Sequence, residues 1–298
     1  MTTGYRIGVD IGGTSIKAGL VAENGRIVDY LEEMTPREPD EGVAVITHMV
    51  GKWTAETEHE IGVAAPGPID VGHGKFLDPP NLPNWHGYEL IRVLEERIGR
   101  VCLFENDANA AAVGEYLAGA GKGSSSLAYV TISTGIGAGF IVGKSILVGA
   151  QSNAGEVGNM IIADHGPDSK GTNIGSWESL ASGTALHHIV KDKLGADGGA
   201  ETLFKQVQEG NKEAKVIFNT WLEHVASGLA NIIHTINPQV ILLGGGVMKA
   251  DSLILDELIA AVKRKVYESL KDYIDIRKAS LTHVGVVGAS QLGIVKRI

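Results

Sequence analysis

Apolar and polar positions alternate from Tyr5 to Ile11, turn at Gly12-Gly13-Thr14, and run back from Ser15 to Val21. That period of two marks a strand pair. Asn24-Gly25 supplies a hairpin turn, so Arg26–Glu32 reads as a third antiparallel strand. From Asp40 to Thr57 the period changes: Val43, Ile46, Met49, Val50 and Trp53 recur at helical spacing. Ile61–Ala65 is a short apolar run that ends in Pro66-Gly67-Pro68, and it reads as a buried strand. The Pro- and Asn-rich segment 78–86 reads as a loop, and Tyr88–Ile98 as an amphipathic helix.

The run Val101-Cys102-Leu103-Phe104 predicts another buried strand, followed at once by Glu105-Asn106-Asp107 and an alanine-rich helix to Ala118. Asn and Asp favour helix N-termini because their oxygens accept free backbone N–H groups. Read alone, Asp107 is an ordinary cap. It also stands where open α/β sheets bind ligands, just past the carboxyl end of a strand.

After Gly119–Gly123 the same grammar returns. Ser126–Ser133 is a strand, Thr134-Gly135-Ile136-Gly137 a turn, Gly139–Val142 a returning strand and Ser145–Val148 another. Residues 149–175 are irregular and polar. Helices are predicted at Trp177–Leu194, Lys212–Thr235 and Leu253–Leu270. Val240–Leu243 is a buried strand ending in Gly244-Gly245-Gly246; Ile276 and Leu281 lie near short strands, and Gly288–Arg297 is a closing helix. A strand–glycine turn–strand unit in each half suggests a duplicated architecture with a ligand between the halves.

Composition narrows the function classes. A chain of 298 residues exceeds the usual size of one core, so two domains are expected. Glycine, at 40 residues, is nearly double its ~7% average, which fits many tight turns and close backbone approaches. The net charge of -9 argues against a nucleic-acid partner. A single cysteine, Cys102, forbids an intrachain disulfide and suits a reducing compartment. No apolar stretch approaches the ~20 residues of a membrane span, and MTTGYRIGVD shows no apolar signal region. A cytoplasmic protein is the simplest expectation.

Three glycine turns carry candidate chemistry. In Asp10-Ile11-Gly12-Gly13-Thr14-Ser15-Ile16-Lys17 the glycines let backbone N–H groups converge on an anion, while Thr14 adds a hydroxyl and Lys17 a charge. Asp10, at the strand end, suits hydrated Mg²⁺, which keeps waters and needs only one or two carboxylates. Thr134, Gly135 and Gly137 form a second loop of hydroxyl and glycine, and two such loops suggest a phosphate chain gripped from both sides. Gly244–Gly246 leave room for a flat group such as a nucleobase. Gly143-Lys144-Ser145 lacks the upstream glycine of a P-loop, and no G-x-G-x-x-G opens a helix. The histidines on predicted helices, His187, His188, His224 and His234, lack zinc-protease spacing. Asn106, Asp107, Glu156 and Glu178 offer the carboxylates and amides that bridge sugar hydroxyls, although a lone Glu is more often a solvated surface residue.

Taken together, DIGGTSIKAGL, VAAPGPID, ENDANAAAVGE, TISTGIGAGF, GEVGNM, WESLASGTA and LLGGGVM resemble, in order and over nearly the whole chain, the ROK family of bacterial sugar kinases. The resemblance implies an α/β, two-domain actin-like ATPase (ribonuclease H-like) fold with a cleft between the lobes. It implies a small domain over residues 1–112, joined by a C-terminal helix at about 287–298, and a larger domain over 113–286. ATP and Mg²⁺ are the implied cofactors, with Asp107 as general base. Asn106, Glu156, Asn159 and Glu178 would bind the sugar, and Pro66-Gly67 would shape the pocket wall. ATP would lie on Asp10, Gly12, Gly13, Thr14, Lys17, Thr134, Gly135, Gly137 and Gly244–Gly246.

The family also contains repressors with a winged helix ahead of the first phosphate loop; here the first strand begins at Tyr5, and the expectation is a kinase. Glucose is the expected substrate, with fructose, mannose, N-acetylmannosamine or a β-glucoside as alternatives. A polyphosphate donor and a non-catalytic sugar-binding regulator are the competing readings. A homodimer is implied, with no nucleic-acid or membrane partner. One departure is large: the family's His and three Cys zinc ligands correspond to Asn159, Ser169, Gly171 and Ser176, so no structural zinc is expected.

Overall fold

The computed structural model describes residues 4–168 and 171–298. Ser169, one of the four positions compared with zinc ligands, lies outside them. The chain forms two compact units. One contains the described residues to Ser125, Gly139–Ala154 and Ser280–Ile298; the other contains Ser126–Ala138 and Gly155–Ala279.

In the first unit, β1 (Tyr5–Ile11) and β2 (Ser15–Ala22) pair antiparallel, and β3 (Ile27–Met34) continues the meander. Helix α1 (Pro39–Gly51) buries Val43, Ile46, Met49 and Val50; it stops short of the expected Thr57, and Trp53, the fifth residue of the expected spacing, is buried from the turn beyond it. Strand β4 (Ile61–Ala65) is buried along its full length. A small hairpin of β5 (Ile69–Asp70) and β6 (Lys75–Phe76) follows, then α2 (Leu90–Ile98), which Gly99 ends in a left-handed conformation. Strand β7 (Cys102–Asn106) leads directly into α3 (Asp107–Leu117). The sheet order is β3-β2-β1-β4-β7, with β1, β4 and β7 parallel.

The second unit is built on β8 (Leu127–Ile132). Strand β9 (Ile136–Val142) starts beside β8; its later residues belong to the first unit, where they pair with β10 (Ser145–Ile146). Helices α4 (Trp177–Ala181), α5 (Gly183–Leu194), α6 (Gly199–Gln208) and α7 (Lys212–Ile236) precede β11 (Val240–Gly244), and α8 (Asp251–Lys263) precedes β12 (Ile276–Lys278). Strand β11 lies between β8 and β12, parallel to both. The chain ends in the first unit with α9 (Val284–Ser290) and β13 (Lys296–Arg297), which pairs parallel with β10. No described helix is long and apolar enough to cross a membrane.

Three further helical expectations need correction. The helix expected over Trp177–Leu194 is broken at Ser182, whose extended backbone closes α4 and whose hydroxyl accepts the Ala185 N–H to open α5. Helix α8 stops at Lys263; Val266 is buried from the turn beyond it, so the apolar spacing outlasts the helix. The closing helix lies earlier than Gly288–Arg297, because Lys296 and Arg297 are drawn into strand pairing with β10.

Glycine explains how α9 packs. A Cβ on Gly8 would stand 2.0 Å from the Val286 carbonyl oxygen, and one on Gly62 would stand 1.7 Å from that of Ala289. The helix therefore rests on β1 and β4 at backbone distance, and no side chain fits between them.

Candidate active site

In the first unit the register aligns Asp10 with Ala64 and Ala64 with Glu105, while Ala65 stands beside Asn106. Asp10, the Pro66-Gly67 turn and Asn106-Asp107 thus follow the carboxyl ends of three adjacent parallel strands. At about 4.8 Å per strand, the two outer positions stand roughly 10 Å apart along that edge. Asn106 is the helix cap: its Oδ1 accepts the N–H groups of Ala108 at 2.9 Å and Asn109 at 3.4 Å. Asp107 is exposed, and its Oδ1 accepts the Ala108 N–H at 2.8 Å.

Asp10 sits opposite Lys17 in the hairpin. Burial pushes its carboxyl above the ordinary range; the Lys17 and His283 charges oppose this, and Glu32 adds to it. A Cβ on Gly285 would stand 2.5 Å from Asp10 Oδ2, so that glycine makes room for the carboxylate. One partly desolvated carboxylate beside a glycine cradle is a donor set that fits hydrated Mg²⁺. Part of the first glycine loop is turned inward. The Gly12 N–H donates to Ser15 O at 2.9 Å, and the Thr35 hydroxyl donates to Gly12 O at 2.6 Å. Gly13 and Thr14 remain exposed.

In the second unit, Thr134 and Gly246 open on one cavity of about 750 Å³, shared with Ser133, Gly183, Thr184 and Lys205. That volume lies within the range of small-molecule sites. The start of α5 is stitched to the loop after β8: Gly183 N–H donates to Ser133 O at 2.7 Å and Thr184 N–H to Thr134 O at 3.3 Å. Gly244 and Gly245 have a different task. A Cβ on Gly244 would meet the Tyr129 hydroxyl at 2.2 Å, and one on Gly245 would meet Ile132 O at 2.3 Å. Of the three glycines, Gly246 alone borders the cavity.

Glu178 is bound to the second glycine loop. Its Oε2 accepts the Ile136 N–H at 2.7 Å. A Cβ on Gly135 would stand 2.4 Å from that oxygen, and one on Gly158 3.1 Å from it. Burial, and then the charge of Glu178, raises the Glu156 carboxyl above its usual range. Gly137 lies within β9. Asn159 is exposed; its Oδ1 accepts the Asn173 N–H at 2.7 Å, and the Asn173 side-chain amide donates to Asn159 O at 3.2 Å. This amide clasp and an isolated bridge between Ile161 and Ser176 hold the segment. Among the described residues no group of three or more His, Cys, Asp or Glu side chains is placed to hold a metal ion.

Ser133, Gly183, Thr184 and the α6 side of the cavity are absent from the sequence-based site. The Ser182 cap before Gly183-Thr184 was the available signal, hidden by reading α4 and α5 as one helix.

The ROK family profile matches residues 6–296. A glucokinase of Thermotoga maritima is 28% identical, with 96% of each chain covered. The crystal structure of a ROK hexokinase from Thermus thermophilus superposes with a TM-score of 0.87 at 31% identity, again covering 96% of each chain. A ROK glucokinase from Streptomyces griseus, solved with glucose and AMPPNP, gives a TM-score of 0.81 at 30% identity, covering 97% of this chain and 99% of that one. The architecture is the actin-like ATPase fold of these proteins. With its profile matched almost end to end, the chain belongs to the ROK family.

Proposed function

We propose that this protein is an ATP- and Mg²⁺-dependent hexose kinase of glucokinase type, transferring the γ-phosphate to the sugar 6-hydroxyl. The observation that carries the reading is the placement of Asp10, Pro66-Gly67 and Asp107 at the carboxyl ends of three adjacent parallel strands. Asn106 is the cap residue, accepting the Ala108 and Asn109 N–H groups; Asp107 shares the Ala108 N–H through Oδ1 and presents an exposed carboxylate.

On this reading Asp107 takes the proton of the 6-hydroxyl as its oxygen bonds to the γ-phosphorus. The bond from that phosphorus to the β,γ-bridging oxygen breaks, and the electron pair leaves with ADP. Such transfers depend mainly on positioning and charge neutralisation. Asn106, Glu156, Asn159 and Glu178 bind hydroxyls of the sugar. Gly13, Thr14, Lys17, Thr134 and Gly135 serve the phosphates, Gly12 and Gly137 shape the turns that present them, and Gly246 borders the nucleoside while Gly244 and Gly245 pack the turn behind it. Asp10 would hold Mg²⁺ through water, and the ion would supply neutralising charge to the phosphates. The family resemblance supports a homodimer, and the single cysteine suits a reducing compartment such as the cytoplasm.

The test is ADP release from Mg-ATP across glucose, fructose, mannose, N-acetylmannosamine and β-glucosides, with polyphosphate as a second donor. Glucose-dependent ADP release with sugar 6-phosphate as product is expected. Sugar binding without turnover on any member of the panel would instead identify a sugar-responsive regulator.

A further inference from the structure

We propose that Arg297 is a positioning residue for this reaction: through Glu105 it fixes the turn that presents Asp107. The inference rests on Asp107 being the base. Glu105 is buried, with 1% of its side chain exposed. Its Oε1 accepts the Asn106 N–H at 3.0 Å and the Asn109 side-chain amide at 3.0 Å. Its Oε2 accepts Arg297 Nε–H at 3.0 Å, and Arg297 Nη2–H donates to Phe104 O at 2.8 Å. One planar fork thus serves a carboxylate and the backbone carbonyl beside it, which a lysine cannot do.

Arg297 is itself held in place. It pairs with Ile146 across β13 and β10, and the Ile298 N–H donates to Ile146 O at 2.8 Å. Asn109 Oδ1 is buried without a hydrogen-bond partner, so the position of that side chain depends on its amide bond to Glu105. Asn106, whose N–H rests on Glu105, carries the α3 cap and immediately precedes Asp107. Without the guanidinium, Glu105 becomes a buried carboxylate with no counter-charge. Such a group turns towards water or finds other donors, and the turn before Asp107 moves with it.

The experiment compares wild type, R297M, R297K, E105Q/R297M and D107N in steady-state kinetics with Mg-ATP and the hexose of the panel turned over fastest. R297M is expected to lose roughly tenfold to a hundredfold in kcat, the cost of a misplaced catalytic group, with both KM values within about twofold of wild type. E105Q/R297M, which removes the stranded charge, is expected to recover most of that loss. A destabilised but unperturbed enzyme would instead show a lower Tm with normal kcat, and that result overturns the inference. If R297M does not fold, R297K carries the test, and wild-type kcat in R297K refutes the proposal. D107N separates the two readings: an active D107N refutes the assignment of the base, whereas an inactive D107N with a normal R297M refutes only the role of Arg297.

Discussion

Two neighbouring side chains at the end of β7 divide two tasks that look alike in a sequence. Asn and Asp are both good helix caps, so residue type alone could not show which of Asn106 and Asp107 does the capping. The side-chain geometry makes Asn106 the cap residue, reaching both Ala108 and Asn109, with Asp107 sharing the Ala108 N–H through one oxygen. Asp107→Asn is expected to reduce kcat by about 10²–10⁴, the usual contribution of a general base. Calorimetry should find sugar affinity within about threefold of wild type. Glu156 offers a second test. Its carboxyl is raised by burial and by Glu178, so the folded state binds more protons than the unfolded state between the two pKa values. Stability then falls as pH rises from the unfolded pKa through the folded one, and the loss persists at neutral pH. Glu156→Gln should therefore raise Tm at pH 7.5 and have less effect near pH 4.5, while weakening sugar binding. The carboxyl is desolvated, yet the residue as a whole is exposed, so solvent screens the effect, and a rise of about 1 °C is expected in a thermal melt. A lower Tm at pH 7.5 would contradict it.

At the scale of elements, the strands were the most legible part, since β1, β2, β3, β4, β7, β8 and β11 each follow an alternating or continuous apolar run. Helix boundaries were less legible where a tertiary partner decides them. Ser182 breaks a run that is amphipathic on both sides, and β13 exists because β10 offers an edge. The short α6, with Leu203 and Phe204 buried, was missed although Ala200, Leu203, Phe204 and Val207 recur at helical spacing. The glycines of β1 and β4 look like flexible strand positions until α9 is seen resting on them. Gly62→Ala is expected to cost about 3 kcal/mol or more in urea unfolding, since overpacking a well-filled core costs about 1–3 kcal/mol and its Cβ would meet a carbonyl oxygen that cannot turn aside. Gly51→Ala is the contrast: it ends α1, is exposed and has open space around it. There the helix preference for Ala should add about 0.5–1 kcal/mol.

For the whole molecule, the two mirrored glycine turns and the family motifs made the fold class legible, whereas the sharing of β9 between units was not, because no composition change marks it. Asn159 is tied to Asn173, and Ile161 to Ser176, by amide and backbone hydrogen bonds. Extended dialysis against a zinc chelator should leave the Tm unchanged; a drop restored by zinc would show that the metal is needed. Removing Mg²⁺ should abolish turnover and its return should restore it. The seat of Glu178 has a practical consequence. Its carboxylate rests against Gly135 and is tied to Ile136 in the loop read as a phosphate grip, so redesigning this enzyme for another monosaccharide by replacing Glu178 would also disturb the nucleotide's KM. A larger residue there needs a compensating change in the glycine turn, and a library that varies positions 135 and 178 jointly should yield active retargeted enzymes where one varying 178 alone does not.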